Sequence, residues 1–75
     1  MDPTEYLNER IRKIAQAAED KHGPFASIHE AYGVLAEEVA EMFEAMRRDD
    51  TEGFARESED VMAVCMRIAA KWGKK

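Results

Sequence analysis

Across residues 27–71, apolar side chains recur every three or four positions. The pattern breaks only at Arg47-Arg48-Asp49-Asp50-Thr51, a run with no apolar residue. A helical period on both sides of a short polar break implies two helices joined by a turn, most simply an antiparallel hairpin. The expected apolar stripe of the first helix is Ile28, Tyr32, Leu35, Val39, Met42 and Met46. That of the second is Phe54, Val61, Cys65, Ile68 and Trp72. If the turn centres on Asp49, Glu41 lies level with Glu57 and Glu38 level with Asp60, each pair being equidistant from it. Residues three apart on a helix lie about 60° from one another, so Glu38 and Glu41 share a side, as do Glu57 and Asp60. Four carboxylates could therefore meet at one level of the hairpin, beside its packed seam.

Carboxylates gathered in this way repel one another, and removing them partly from water adds to the cost. A divalent cation relieves both. An all-oxygen donor set suits a hard ion, Mg²⁺ or Mn²⁺, better than zinc. The plain alternative is a solvated acidic face paired with Arg47, Arg48, Arg56 and Arg67.

A chain of 75 residues is expected to form a single domain with a small core, the size at which association with further copies often adds stability. Three amphipathic helices can hardly cover all their own apolar faces, so a dimeric or tetrameric helical bundle is expected. The composition, 45% hydrophobic and 36% charged, is that of a folded chain, and a net charge of −5 argues against nucleic acid or an anionic membrane as partner. There is no apolar run of membrane-spanning length, no signal peptide is expected, and the lone Cys65 cannot form an internal disulfide. These features point to the cytoplasm.

The first helix begins at Asp2-Pro3-Thr4-Glu5, an N-cap acceptor followed by proline at the first helical position and an acid in the first turn. It presents Leu7, Ile11, Ile14 and Ala18 and should end near Lys21, before Gly23-Pro24, with Phe25 packing back as an anchor. Ser27-Ile28-His29-Glu30 is a second capping box and opens the central helix, in which Gly33 allows close approach of another helix or a ligand. The third helix should start around 49–51 and run to Trp72, where Gly73 stops it.

Glu37-Glu38-Val39-Ala40-Glu41 and Glu57-Ser58-Glu59-Asp60, in this order, with a short turn between and apolar residues after Asp60, resemble the E-E-x-x-E and E-x-x-D motifs of the MazG-like all-α nucleoside triphosphate pyrophosphohydrolase superfamily. The resemblance covers about three-fifths of the chain, residues 27–71. It implies Mg²⁺-dependent cleavage between the α- and β-phosphates of a nucleoside triphosphate, giving a monophosphate and pyrophosphate. By motif position, Glu38, Glu41, Glu57 and Asp60 would be metal ligands, and Glu37, with Glu38, would orient or activate the attacking water. Arg67 and Lys71, on the same side of the third helix as Asp60, are the expected phosphate-binding groups, with Lys13 and Arg47 behind them. Relatives commonly add a helix after the second motif; its contacts would here be expected from a partner subunit or from the first helix. The acids and the Asp49-Asp50 turn also resemble phosphoribosyl-ATP pyrophosphohydrolase. Val34-Leu35-Ala36 stand where that branch has lysine and glycine, which favours the broader superfamily. A rival of another class is a non-catalytic helical interaction module that retains the acids as a relic of the fold.

The remaining reactive residues have plain expected roles. His22 is read as a turn residue, His29 as solvent-facing and Cys65 as core. Met42, Met46, Met62 and Met66 fill core and interface, and Tyr32 and Trp72 pack, with base stacking as their alternative.

Overall fold

The structure, a computed structural model, describes residues 2–73. Three α-helices make up the fold: α1 (Pro3–His22), α2 (Ile28–Arg47) and α3 (Thr51–Trp72), with no strand among the described residues. Each begins on the side chain expected to start it. The Asp2 carboxylate accepts from the Thr4 and Glu5 N–H groups at 2.8 and 3.1 Å. Ser27 Oγ accepts from the Glu30 N–H at 3.1 Å, and Glu30 Oε1 reaches back to the Ala26 N–H at 2.8 Å, one residue before the cap. Asp50 Oδ1 accepts from the Gly53 N–H at 2.9 Å and so opens α3.

The stops are equally local. Gly23 takes φ +76° at the end of α1, a conformation that costs glycine little, and its N–H closes on the Glu19 carbonyl at 2.8 Å. At the end of α2 the left-handed residue is Asp49, with φ 55°. The Asp50 N–H donates to Ala45 O at 2.9 Å and the Asp49 N–H to Met46 O at 3.0 Å, the pair of bonds that defines a Schellman turn. The connection of residues 48–50 is therefore short, each of its three backbone N–H groups is bonded back to α2, and Asp50 serves both the end of α2 and the start of α3.

α3 is the hub, since α1 and α2 both pack on it but not on each other. Ile11 and Ala15 of α1 close on Ala63, with Ile14 and Met66 at the margin. Phe25, Ala31 and Val64 form the second cluster, bordered by Val34, Leu35 and Ile68. Phe25 is the expected anchor: it is buried and stacks on Trp72, with ring centroids 6.5 Å apart and planes 8° from parallel.

The seam between α2 and α3 differs from the expected one. Its buried residues are Ala31 and Ala45 on α2 and Gly53 and Val64 on α3, whereas Ala63 and Arg67, also buried on α3, meet α1 and its end. Most of the expected stripe lies one position away, on the outside: Ile28 is 61% exposed and Tyr32 70%, while Val39, Met46, Phe54 and Trp72 are also exposed. Cys65, read as core, is exposed, because α3 turns Val64 inward instead. One step along a helix is a rotation of about 100°, so a one-residue shift moves a stripe off the seam. Small residues let the two backbones approach closely, and bulky apolar ones remain at the surface. Gly33 lies in open space, with nothing near its missing Cβ, so it admits no helix within this chain. No described helix is long and apolar enough to cross a membrane.

Candidate functional site

The motif residues meet because the inward face of the α2–α3 pair carries carboxylates between its small residues. One carboxylate oxygen from each of Glu38, Glu41 and Glu57 lies within 4.8 Å of the others. Glu38 Oε2 and Glu57 Oε2 are closed off from solvent and accept no hydrogen bond. A buried carboxylate oxygen without a partner is costly, because desolvation goes uncompensated.

The charges respond to this crowding. Desolvation, followed by the negative charges of Glu41, Asp60 and Glu57, pushes the Glu38 pKa from 4.5 to about 7. Glu57 is raised as well, by desolvation and then by Glu41, which stands close enough to share a proton with it. Asp60 is raised by desolvation, Glu41 and Glu59, and is partly relieved by Arg56. Asp60 is thus an electrostatic neighbour of the cluster, although it stands outside the triplet of converging oxygens. With Glu38 it lines a hollow of about 240 Å³ between α1, α2 and α3.

A second hollow, of about 480 Å³, holds Glu37 and Glu38 from α2, His22 from the end of α1, Phe25 from the first connection, and Arg67. Glu37 is exposed on its rim, beside the triplet rather than within it. Arg67 is only 8% exposed and already engaged. Its Nε and Nη2 donate to Glu19 Oε2 at 3.2 and 3.0 Å, Nη2 also donates to Gly23 O at 3.2 Å, and the guanidinium lies 3.9 Å from the Phe25 ring centroid. Lys71 is exposed, with its Nζ 5.5 Å from the Trp72 ring centroid. Arg47 pairs with Glu44 at 3.5 Å, and Lys13 is exposed on α1. Both histidines are exposed, His22 as the last residue of α1.

Two further participants lie outside the motifs, Arg10, which the sequence did not single out, and Arg56, which it marked only as a charge partner of a solvated acidic face. Arg10 of α1 reaches Glu59 at 2.9 Å, tying the first helix to the acidic segment of α3. Arg56 acts on Glu57 and Asp60 and lines a hollow of about 300 Å³ with Glu41, Arg48 and Glu57. The sequence does carry a sign of it, since Arg56 precedes Glu57 and lies one helical turn before Asp60.

The donor set fits a small hard cation. Opposite oxygens of an octahedral Mg²⁺ stand roughly 4.2 Å apart, so oxygens already within 4.8 Å of each other need only small side-chain rotations. A cation there would also satisfy the two orphaned oxygens.

No family model matches the chain, and neither a characterised protein nor a solved structure gives a match.

Proposed function

We propose that the chain is a MazG-like nucleoside triphosphate pyrophosphohydrolase that works with Mg²⁺, or Mn²⁺ in its place. The carrying observation is the convergence of Glu38, Glu41 and Glu57, with two of their oxygens buried and unpartnered. The motif resemblance supplies the reaction; the geometry supplies a reason for those acids to be together.

In this reading Glu38, Glu41 and Glu57 hold the cation, and Asp60 completes the set from the adjoining turn of α3. When bound, the ion neutralises triphosphate charge and acidifies a water. Glu37, on the rim of the hollow that also contains Glu38, orients the attacking water and accepts its proton, with Glu38 as the neighbouring acid. The water oxygen bonds to the α-phosphorus as the α–β bridging P–O bond breaks. Pyrophosphate leaves with the electron pair, and the proton passes from the carboxylate to solvent.

Arg67 fixes the wall of the hollow through Glu19 and Gly23 and presents positive charge towards it. Lys71 is the outer phosphate candidate. The tight Schellman connection fits an antiparallel α2–α3 hairpin. The outward stripe of Ile28, Tyr32, Val39 and Phe43 fits a homodimer or homotetramer, because contiguous exposed apolar surface marks an association face. A reducing cytoplasm suits the exposed Cys65.

The test is pyrophosphate release from a panel of canonical and modified (d)NTPs with Mg²⁺, beside Glu38→Ala and Asp60→Ala. Turnover of one or more members, abolished by both substitutions, supports the enzyme. No turnover and no Mg²⁺ binding would leave a non-catalytic helical module, a role that the exposed apolar stripe also suits.

A further inference from the structure

The hollow of about 300 Å³ lies where the end of α2 meets the start of α3, on the connection side of the carboxylate cluster. Ala40, Ala45 and Gly53 keep it open, because none carries a side chain beyond Cβ. Its other lining groups are all charged, four acids and two arginines, and they are not equally free.

Asp50 is occupied by its cap on the Gly53 N–H, and Glu44 pairs with Arg47. Glu41 and Glu57 belong to the triplet of converging carboxylates. Arg48 and Arg56 are exposed and make no ion pair among the described residues. Arg48 caps α2 two turns beyond Glu41, which puts both on one side of that helix; Arg56 precedes Glu57 on α3. Two free guanidinium groups therefore flank one side of the acidic cluster. On the other side the only lining arginine, Arg67, is committed to Glu19 and Gly23.

We infer that the hollow between Glu41, Arg48, Arg56 and Glu57 receives the pyrophosphate end of the triphosphate, with Arg48 and Arg56 as its anion-binding groups. The inference rests on the metal-dependent reading above and adds direction to it. The phosphate tail points towards the α2–α3 connection. Guanidinium forks bind phosphate oxygens with paired charge-assisted hydrogen bonds. A cation held by Glu41 and Glu57 would carry the same anion from the opposite face. Without such a cation the two glutamates would repel the pyrophosphate, so binding should require both the metal and the arginines.

Isothermal titration calorimetry of the full chain separates these contributions. Inorganic pyrophosphate with Mg²⁺ is titrated into the wild type, Arg48→Gln, Arg56→Gln and the double variant, and Mn²⁺ alone is titrated into each. Each single substitution should weaken pyrophosphate about tenfold, in line with the loss of a charge-assisted hydrogen bond, and leave Mn²⁺ affinity within about twofold. Arg56→Lys should recover part of the loss. If Mn²⁺ binds but the double variant holds pyrophosphate as tightly as the wild type, or the wild type does not bind it, the inference is overturned and the metal site stands. If the wild type binds no Mn²⁺, both fall together.

Discussion

Glu38 on α2 and Glu57 on α3 bring carboxylate oxygens within 4.8 Å of each other, and each keeps its Oε2 buried without a partner. Two acids on different helices, equally spaced with their neighbours about one turn, have been turned inward where small residues alone would pack more comfortably. The cost falls on the ion-free protein, and it can be measured as a dependence on pH.

The folded chain holds a proton on Glu38 up to about pH 7, whereas the unfolded chain releases it near 4.5. Between these values the folded state binds more protons, so this contribution to stability declines as pH rises and is fully lost above about 7. Glu57 and Asp60 are shifted in the same direction and reinforce it. Urea unfolding at pH 5 and pH 8 should show a drop that Glu38→Gln reduces without abolishing, since Glu57 and Asp60 keep their own shifts, the variant being more stable at pH 8 by about 1–2 kcal/mol after allowance for solvent screening. An unchanged pH dependence in Glu38→Gln would contradict the crowding of these acids.

Arg67 is the buried charge that joins the end of α1 to α3, through Glu19, Gly23 O and the face of Phe25. Arg67→Ala strands the Gly23 carbonyl and the Glu19 carboxylate and removes the cation–π contact. It should cost about 2–4 kcal/mol. Arg67→Lys cannot reproduce the fork and should recover only part. Chemical denaturation of the two variants checks the order, which would be reversed or flat if Arg67 served only a ligand.

Asp49 sits at φ 55° in the Schellman turn, where a side chain is penalised and glycine is not. Asp49→Gly should therefore stabilise the protein by up to about 1 kcal/mol, despite the greater freedom it gives the unfolded chain. One residue later, Asp50→Ala removes the cap on Gly53 and should cost about 1 kcal/mol. Gly53→Ala should also destabilise, because its new Cβ would displace the Asp50 carboxylate from the cap it makes on this residue. Thermal midpoints of the three variants give the signs directly.

The outward stripe gives a prediction at the level of assembly. Phe43 is 52% exposed and Tyr32 70%, the latter at the edge of an apolar hollow that it lines with Ile68 and Trp72 of α3. Sedimentation equilibrium should report a dimer or tetramer, and Phe43→Glu or Tyr32→Glu should shift it towards monomer, since a charge on such a face is not readily desolvated. A monomeric wild type at high concentration would leave the stripe without this role.

The helices were legible because their boundaries are written locally, in Asp2, Ser27, Asp50, Gly23 and the polar run before Thr51. The acid cluster was legible from spacing, since Glu38, Glu41 and Glu57 converge and Asp60 lies alongside. The seam was not. Hydrophobic periodicity marks the strongest apolar stripe, whereas the chain packs α2 on α3 through alanine, glycine and valine. Where a helix has two faces to bury, periodicity cannot tell which one its own chain covers. For the same reason Cys65 came out exposed and Val64 buried. The engagement of Arg67 was beyond reach as well, because Glu19 lies 48 residues away in sequence and only the tertiary fold brings it close.

The most direct measurement is a Mn²⁺ titration followed by electron paramagnetic resonance, in which free ion gives a signal that binding suppresses. The wild type should bind Mn²⁺ with sub-millimolar affinity (on the order of 10⁻⁴ M, as for a partly exposed carboxylate site), release it on competition with Mg²⁺, and lose it in Glu38→Gln and Glu57→Gln. A free-ion signal that the wild type leaves untouched, or that both variants suppress equally well, would contradict a metal site at these carboxylates.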